Sequence, residues 1–213
     1  MFESGLDQAF GLRRMFAAPP LLLGLGCARG DAADQAGVAG LARALQRAGR
    51  RPVLIDLLGE RGCRIANAGD LVALAQRLRG EGRRRGAEPD LALVMADPLR
   101  LADVAAALND RIVLFAPGDA SSLAQLYAQV KAVRLAHGVT RYVAAFRDAR
   151  SRQVALDAHR RLADTAARFL GAAVEFGGLI PALDRDARAW DRFAADAIGW
   201  ACPLHGVRMP AAG

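Results

Sequence analysis

Leu21-Leu22-Leu23-Gly24-Leu25-Gly26-Cys27-Ala28-Arg29-Gly30-Asp31-Ala32-Ala33-Asp34-Gln35 passes from a short apolar run, through a glycine-punctuated loop, into a segment with apolar residues at helical spacing. The run is too short for a helix and reads as a buried strand over Leu21 to Leu25, while Gln35 to Ala48 reads as an amphipathic helix. The same alternation continues along the chain. Pro52 to Asp56, Leu91 to Met95, Ile112 to Ala116, Tyr142 to Phe146 and Val174 to Ile180 are strand-like. Asp70 to Arg79, Leu101 to Leu108, Ser122 to Ala136 and Arg152 to Leu170 are helix-like between them. Strands that alternate with helices imply an α/β fold with a doubly wound, mainly parallel sheet and helices on both faces. In such sheets ligands sit beyond the carboxyl ends of the strands, so function is sought first in the loops after Leu25, Asp56, Met95 and Ala116.

With 213 residues and 53% hydrophobic content, the chain can bury one substantial core. No apolar run approaches the roughly 20 residues of a membrane span. Glu3, Asp7, Arg13 and Arg14 argue against a secretory signal, so a cytoplasmic location is expected. Cys27, Cys63 and Cys202 are scattered, odd in number and without metal-ligand spacing, and read as reduced thiols. The formal charge of +7 is spread through the helices rather than gathered into a patch interleaved with aromatics, and gives no strong nucleic-acid signal. Arg83-Arg84-Arg85 is the one cluster, expected in a solvated loop after a helix. His137, expected in a turn, His159 and His205 have no nucleophile or acid at recognisable spacing and are read as structural or solvated.

Ahead of the first strand, residues 1–18 read as a separate amphipathic helix. Ser4 and Asp7 have capping-box spacing, and Leu6, Ala9, Phe10 and Phe16 recur at helical intervals, leaving Gln8 and Arg14 elsewhere on the surface. Pro19 and Pro20 end it, and residues 19–213 form the α/β body. The helix is a candidate docking element; the alternative is a helix that packs on its own domain, with Asp7 serving only as its cap.

The combination resembles the flagellar number regulators of the MinD/ParA family, known as FlhG or FleN. Their N-terminal DQAxxLR motif is matched by Asp7, Gln8, Ala9, Leu12 and Arg13, with Phe10 and Gly11 in the free positions. Further similarity lies in Ala116-Pro117-Gly118-Asp119-Ala120-Ser121-Ser122-Leu123, in His137-Gly138-Val139-Thr140-Arg141-Tyr142, and in Ala166-Ala167-Arg168-Phe169-Leu170 followed by Gly178-Leu179-Ile180-Pro181. The resemblance implies a MinD/ParA-like P-loop fold and covers most of the chain up to about residue 185.

At the positions that handle ATP in the family, the chain departs from the pattern. The nucleotide loop, here Gly26, Arg29, Gly30, Asp34 and Gln35, has Arg29 in place of the first lysine and Asp34 and Gln35 in place of the second lysine and the threonine. An acid at Asp34 would repel phosphates. Lys131 is the only lysine, on the helix after the fourth strand, so no realignment restores a P-loop lysine. The switch segment offers Asp56 and then Leu58 where the family has two acids, and Met95 replaces the Walker B acid, with Asp97 two residues too late. Arg147 aligns with an adenine-facing Asn. Asp56 is expected to end a buried strand and cap the next turn, the alternative being residual magnesium coordination. Arg29 and Gly30 would still offer backbone N–H groups to some anion.

The expectation is therefore a pseudo-ATPase body with no cofactor beyond weak residual nucleotide binding, and no metal. The resemblance implies that the N-terminal helix docks on FlhF, a GTPase related to the signal recognition particle, and stimulates its GTP hydrolysis. Gln8 would face the attacking water, Asp7 and Arg13 would set the register, and Phe10 and Leu12 would be buried anchors, with Ala9 completing the motif. A flagellar transcriptional activator or C-ring component is a further partner the resemblance allows, as is recruitment to the cell pole. One alternative is an ATP-dependent switch that dimerises and binds membrane. Against it, the segment from Trp190 to Gly213 carries Asp191 and Asp196 among its apolar residues and is broken by Pro203 and Pro210; Phe193, Ile198 and Trp200 are read as core packing. The other is a paralogue serving a cellulose or pilus secretion system.

Overall fold

The computed structural model describes residues 19–27, 29–58, 65–109, 111–118, 122–182 and 187–204. The docking residues Asp7, Gln8, Ala9, Phe10, Leu12 and Arg13 lie outside them, as do Cys63 and His205.

Strands and helices alternate as the apolar runs require: β1 (Leu21–Cys27), α1 (Ala32–Arg47), β2 (Pro52–Asp56), α2 (Ala68–Arg84), β3 (Leu91–Ala96), α3 (Pro98–Ala105), β4 (Arg111–Pro117), α4 (Ser122–His137), β5 (Arg141–Arg147), α5 (Arg152–Leu170), β6 (Ala173–Leu179), α6 (Ala187–Trp200) and β7 (Cys202–Pro203). The sheet has the order β2-β3-β1-β4-β5-β6. These strands are parallel, and β7 lies antiparallel on β1. The β1–β4 pairing begins only at Leu25 opposite Val113, and β7 takes the free half of β1 at Leu21 and Leu22. Chain direction across the sheet reverses at β1, whose neighbours are β3 and β4. The crevice beyond their carboxyl ends is the expected ligand position in a doubly wound sheet.

Two cores flank the sheet. Helices α2 to α5 cover one face with Leu71, Leu101, Val130 and Leu162, and α1 and α6 cover the other with Val38, Leu41, Trp190 and Phe193. The helix over Ala187–Trp200 is one that the sequence pattern did not reveal. Its apolar residues pack as expected, with Phe193 buried and Ile198 and Trp200 packed partly buried against the same core. Among the described residues, no helix is long and apolar enough to cross a membrane.

Other expectations need correction. β2 is an edge strand rather than a buried one, with Leu54 45% exposed and Asp56 at the surface. Arg83 and Arg84 are in the last turn of α2, not in a loop, because the helix continues beyond its last apolar contact. Its exposed end is tied down by Arg79 and Arg83, both on Glu88. His137 ends α4 rather than standing in a turn, with its Nε2 3.0 Å from Asp103.

The α1–α6 contact depends on the absence of a side chain at Gly40. A Cβ there would stand within 3.0 Å of the indole of Trp190. That ring is 4% exposed and held by its Nε1–H donating to the carbonyl of Ala182 at 3.1 Å. In an open helix Gly→Ala gains about 0.5–1 kcal/mol; here overpacking, at about 1–3 kcal/mol, outweighs it. Gly40→Ala is expected to lower the urea midpoint at unchanged m-value, whereas Gly80→Ala, with open space around it, raises it or leaves it alone.

Candidate functional site

The loop between β1 and α1 stands at the topological switch point, where backbone N–H groups at a helix start attract negative charge. In this chain the negative charge comes from the protein itself. The Asp34 carboxylate, fully buried in the first turn of α1, accepts through Oδ2 from the backbone N–H of Gly30 at 2.8 Å and of Arg29 at 3.2 Å. Gly30 adopts φ +63°, the left-handed conformation that turns its amide inward. Expected to be available to an outside anion, the amides of Arg29 and Gly30 are already engaged.

The positive charge that faces Asp34 is the guanidinium of Arg147, at the end of β5 and 6% exposed. Its Nε lies 2.9 Å from Asp34 Oδ1, an ion pair whose angle falls outside the hydrogen-bonding range. Its Nη2 donates to Asp31 Oδ2 and its Nη1 to Asp148 Oδ2, each at 2.8 Å. Asp31 also caps α1, its Oδ1 accepting from the N–H groups of Ala33 and Asp34. Three carboxylates thus share one guanidinium. Burial pushes the Asp34 carboxyl above the usual carboxylate range, against the pull of Arg147 and the two loop amides. Burial acts in the same sense on Asp31, but the Asp34 N–H and Arg147 prevail and hold it below that range. Underneath, burial first and then the charge of Asp34 push the Cys27 thiol up, leaving it protonated and unreactive.

The other positions named from the sequence cap turns, pack in the core or lie at the surface. Asp56 Oδ1 accepts from the Leu58 N–H at 2.9 Å and so caps the turn after β2. Asp97 caps α3 through the N–H groups of Leu99 and Arg100. Met95 is buried at the end of β3. Arg29 turns its guanidinium to the Ser122 hydroxyl, 2.6 Å away at the start of α4. Gln35 is exposed on α1, and Gly26 is buried against Pro98 and Leu114. Among the described residues no group of His, Cys, Asp and Glu side chains is disposed to hold a metal ion. His159 donates its Nε2–H to the Val174 carbonyl at 2.8 Å and meets the Phe176 ring edge-on, a packing role.

Beside the loop, a cleft of about 790 Å³ opens between the ends of β5 and β6 and the helices α1 and α6. Arg147, Asp148, Arg152, Gly177, Phe193 and Asp196 line it. Asp148 is left-handed at φ +57°, a conformation costing on the order of 1–3 kcal/mol in a non-glycine residue, and its bond to Arg147 holds it there. The wall between cleft and loop is the Arg147 ion cluster. A polyphosphate reaching from the cleft into the loop would displace Asp34 and meet Asp31 and Asp148, with the Arg147 guanidinium already shared.

Arg147 is the functional side chain whose task the sequence did not disclose. The available signal was a charged residue closing the otherwise apolar strand Tyr142–Phe146, which requires buried acids somewhere else in the chain.

Solved structures with this architecture include the MinD cell division protein of Aquifex aeolicus, 15% identical over 86% of this chain and 99% of that one, with a TM-score of 0.50. A plasmid partition protein of Borrelia burgdorferi is 10% identical over 85% and 97% of the respective chains, with a TM-score of 0.49. No protein-family model matches the chain, and no curated protein does. The body has the doubly wound, P-loop-type fold of MinD.

Proposed function

We propose that the chain regulates flagellar number or placement by binding the SRP-type GTPase FlhF through residues 7–13 and stimulating its GTP hydrolysis, its α/β body acting as a scaffold that does not hydrolyse ATP. The observation that carries the second half is the buried Asp34 carboxylate, which takes the two loop amides at 2.8 and 3.2 Å that a phosphate would need. The first half is supported by the match of Asp7, Gln8, Ala9, Leu12 and Arg13 to DQAxxLR ahead of this fold. A Gln side chain can donate and accept at once and so orient an attacking water, and an Arg can offset charge developing on the phosphates.

The test is GTP turnover by the cognate flagellar GTPase alone, with the full chain, and with the chain lacking residues 1–18. Stimulation that disappears on truncation is the expected result. Equal turnover in all three reactions, with the full chain folded, would overturn the reading. The rival reading, an ATP-dependent switch, is tested by calorimetric titration with ATP and magnesium: it requires saturable micromolar binding, and the expected result is none.

A further inference from the structure

Backbone amides at the start of a helix attract an anion, and a cation on the far side strengthens the site. Both are present here. Gly30 and Arg29 contribute N–H groups from the loop, and Arg147, nine-tenths buried and carried by a different strand, contributes the guanidinium. Between them lies a single carboxylate with no exposed surface, that of Asp34. Its Oδ2 faces the amides and its Oδ1 faces Arg147, so the carboxylate bridges the loop and the end of β5.

We propose that Asp34 is a built-in ligand: its carboxylate fills an oxyanion site made by the Arg29 and Gly30 amides and the Arg147 guanidinium, and shortening this side chain leaves a site for a free tetrahedral oxyanion such as inorganic phosphate. The inference deepens the reading of the body as a non-hydrolysing scaffold and rests on it. It adds the physical reason that loss of the loop lysine need not destabilise the loop. The negative charge that normally arrives with a ligand is covalently part of the chain, and its counter-charge comes from β5. The loop therefore holds one arrangement whether or not phosphate compounds are present. Arg147 also bonds Asp31 and Asp148, so the same cation fastens the N-cap of α1 to the end of β5. The α1 start, the β5 end and the adjoining cleft wall are held as one unit by an internal anion.

The experiment follows the amide resonances of Arg29 and Gly30 in the ¹⁵N-labelled full chain during titration with inorganic phosphate, at ionic strength held constant with chloride. In the wild type these two amides are expected to stay in place. In Asp34→Ala they move saturably, with phosphate bound about tenfold or more tightly than by the wild type, the scale of a charge-assisted hydrogen bond regained. Adding Arg147→Met to Asp34→Ala removes the gain. Asp34→Ser, which keeps a residue favoured near helix starts, carries the same expectation. For a variant that is only marginally folded, the readout is the thermal midpoint, which phosphate raises in the variant and not in the wild type, because a ligand that binds only the native state stabilises it. Wild-type amides that move as readily as those of Asp34→Ala would overturn the proposal. So would folded variants whose amides, and whose midpoint, ignore phosphate. Micromolar ATP binding by the wild type with Arg29 and Gly30 unmoved would instead sink the scaffold reading and leave the occupancy of the loop by Asp34 standing.

Discussion

Replacing Arg147 by methionine is expected to lower folding stability by about 3–5 kcal/mol at neutral pH, the usual cost of stranding one partner of a buried ion pair. The size follows from burial. Asp34 is fully buried and has two amide donors, which satisfy one of its oxygens; the other faces Arg147 alone. Methionine fills much of the guanidinium's space, so the loss measures charge rather than a cavity. If that is its origin, Asp34→Ser combined with Arg147→Met should be less damaging than the two single losses added together, with a coupling of about 1–3 kcal/mol. Urea unfolding of the four proteins gives the cycle.

The pH dependence supplies an independent check, and its sign is fixed by the direction of each shift. Burial already raises the folded Asp34 carboxyl above its unfolded value, and removing Arg147 raises it further. A carboxyl raised on folding binds protons more readily in the native state, so the native state gains relative stability as pH falls. Asp31 acts in the same sense on the difference: its lowered value, set first by the Asp34 N–H and then by Arg147, contributes stability above the unfolded pKa, and the part owed to Arg147 is lost in the variant. The deficit of Arg147→Met is therefore greatest at about pH 7 and narrows toward about pH 5. A deficit independent of pH, or smaller than about 1 kcal/mol, would mean that Asp34 carries no uncompensated charge in the variant.

Run length and period disclose the fold where those signals are strong. Leu91–Met95 and Ile112–Ala116 are continuous apolar runs because both faces of a central parallel strand are covered, and each lies within its observed strand. The edge strand β2 has the same kind of run, but it lies at the end of the sheet and Leu54 is 45% exposed; the sequence carries no mark of which strand is outermost. The last helix was missed because Asp191 and Asp196 fall among apolar residues and face solvent, while Trp190, Phe193 and Ala197 form the buried stripe at three- and four-residue spacing. At the site, the individual residues are legible one position at a time: Asp34 in the loop, Met95 at the end of β3, no lysine nearby. The pairing of Asp34 with Arg147 is not. Arg147 and Asp31 are 116 positions apart, and only the parallel stacking of β1, β4 and β5 brings the end of β5 over the start of α1. A buried acid in the loop and a buried arginine closing an apolar strand are each unfavourable in isolation. Together they neutralise one another.

Gln8→Ala is expected to leave the affinity for the partner GTPase close to that of the wild type and to bring GTP turnover down to the partner's unassisted rate. In the proposed contact the two effects separate because Gln8 acts on the attacking water, whereas Phe10 and Leu12 supply buried apolar area. Phe10 and Leu12 are the apolar anchors of the proposed contact, and losing an anchor costs about 2 kcal/mol of binding, a shift of roughly 30-fold in the concentration for half-maximal stimulation. With excess regulator such a variant, Leu12→Ala for instance, still reaches full turnover. A water-orienting amide contributes to the transition state instead, and a positioned group of that kind is worth about 10²–10⁴-fold in rate. No excess of Gln8→Ala restores it. Measured as a full titration, a variant that loses only apparent affinity makes Gln8 one more contact, and a variant that loses only maximal turnover makes it the residue through which the regulator acts. Because the Arg147 cluster lies in the body and the motif at residues 7–13, Arg147→Met at a temperature where it remains folded is expected to stimulate the GTPase as the wild type does. Loss of stimulation there, with Gln8 intact, would place the contact on the α/β body rather than on the motif.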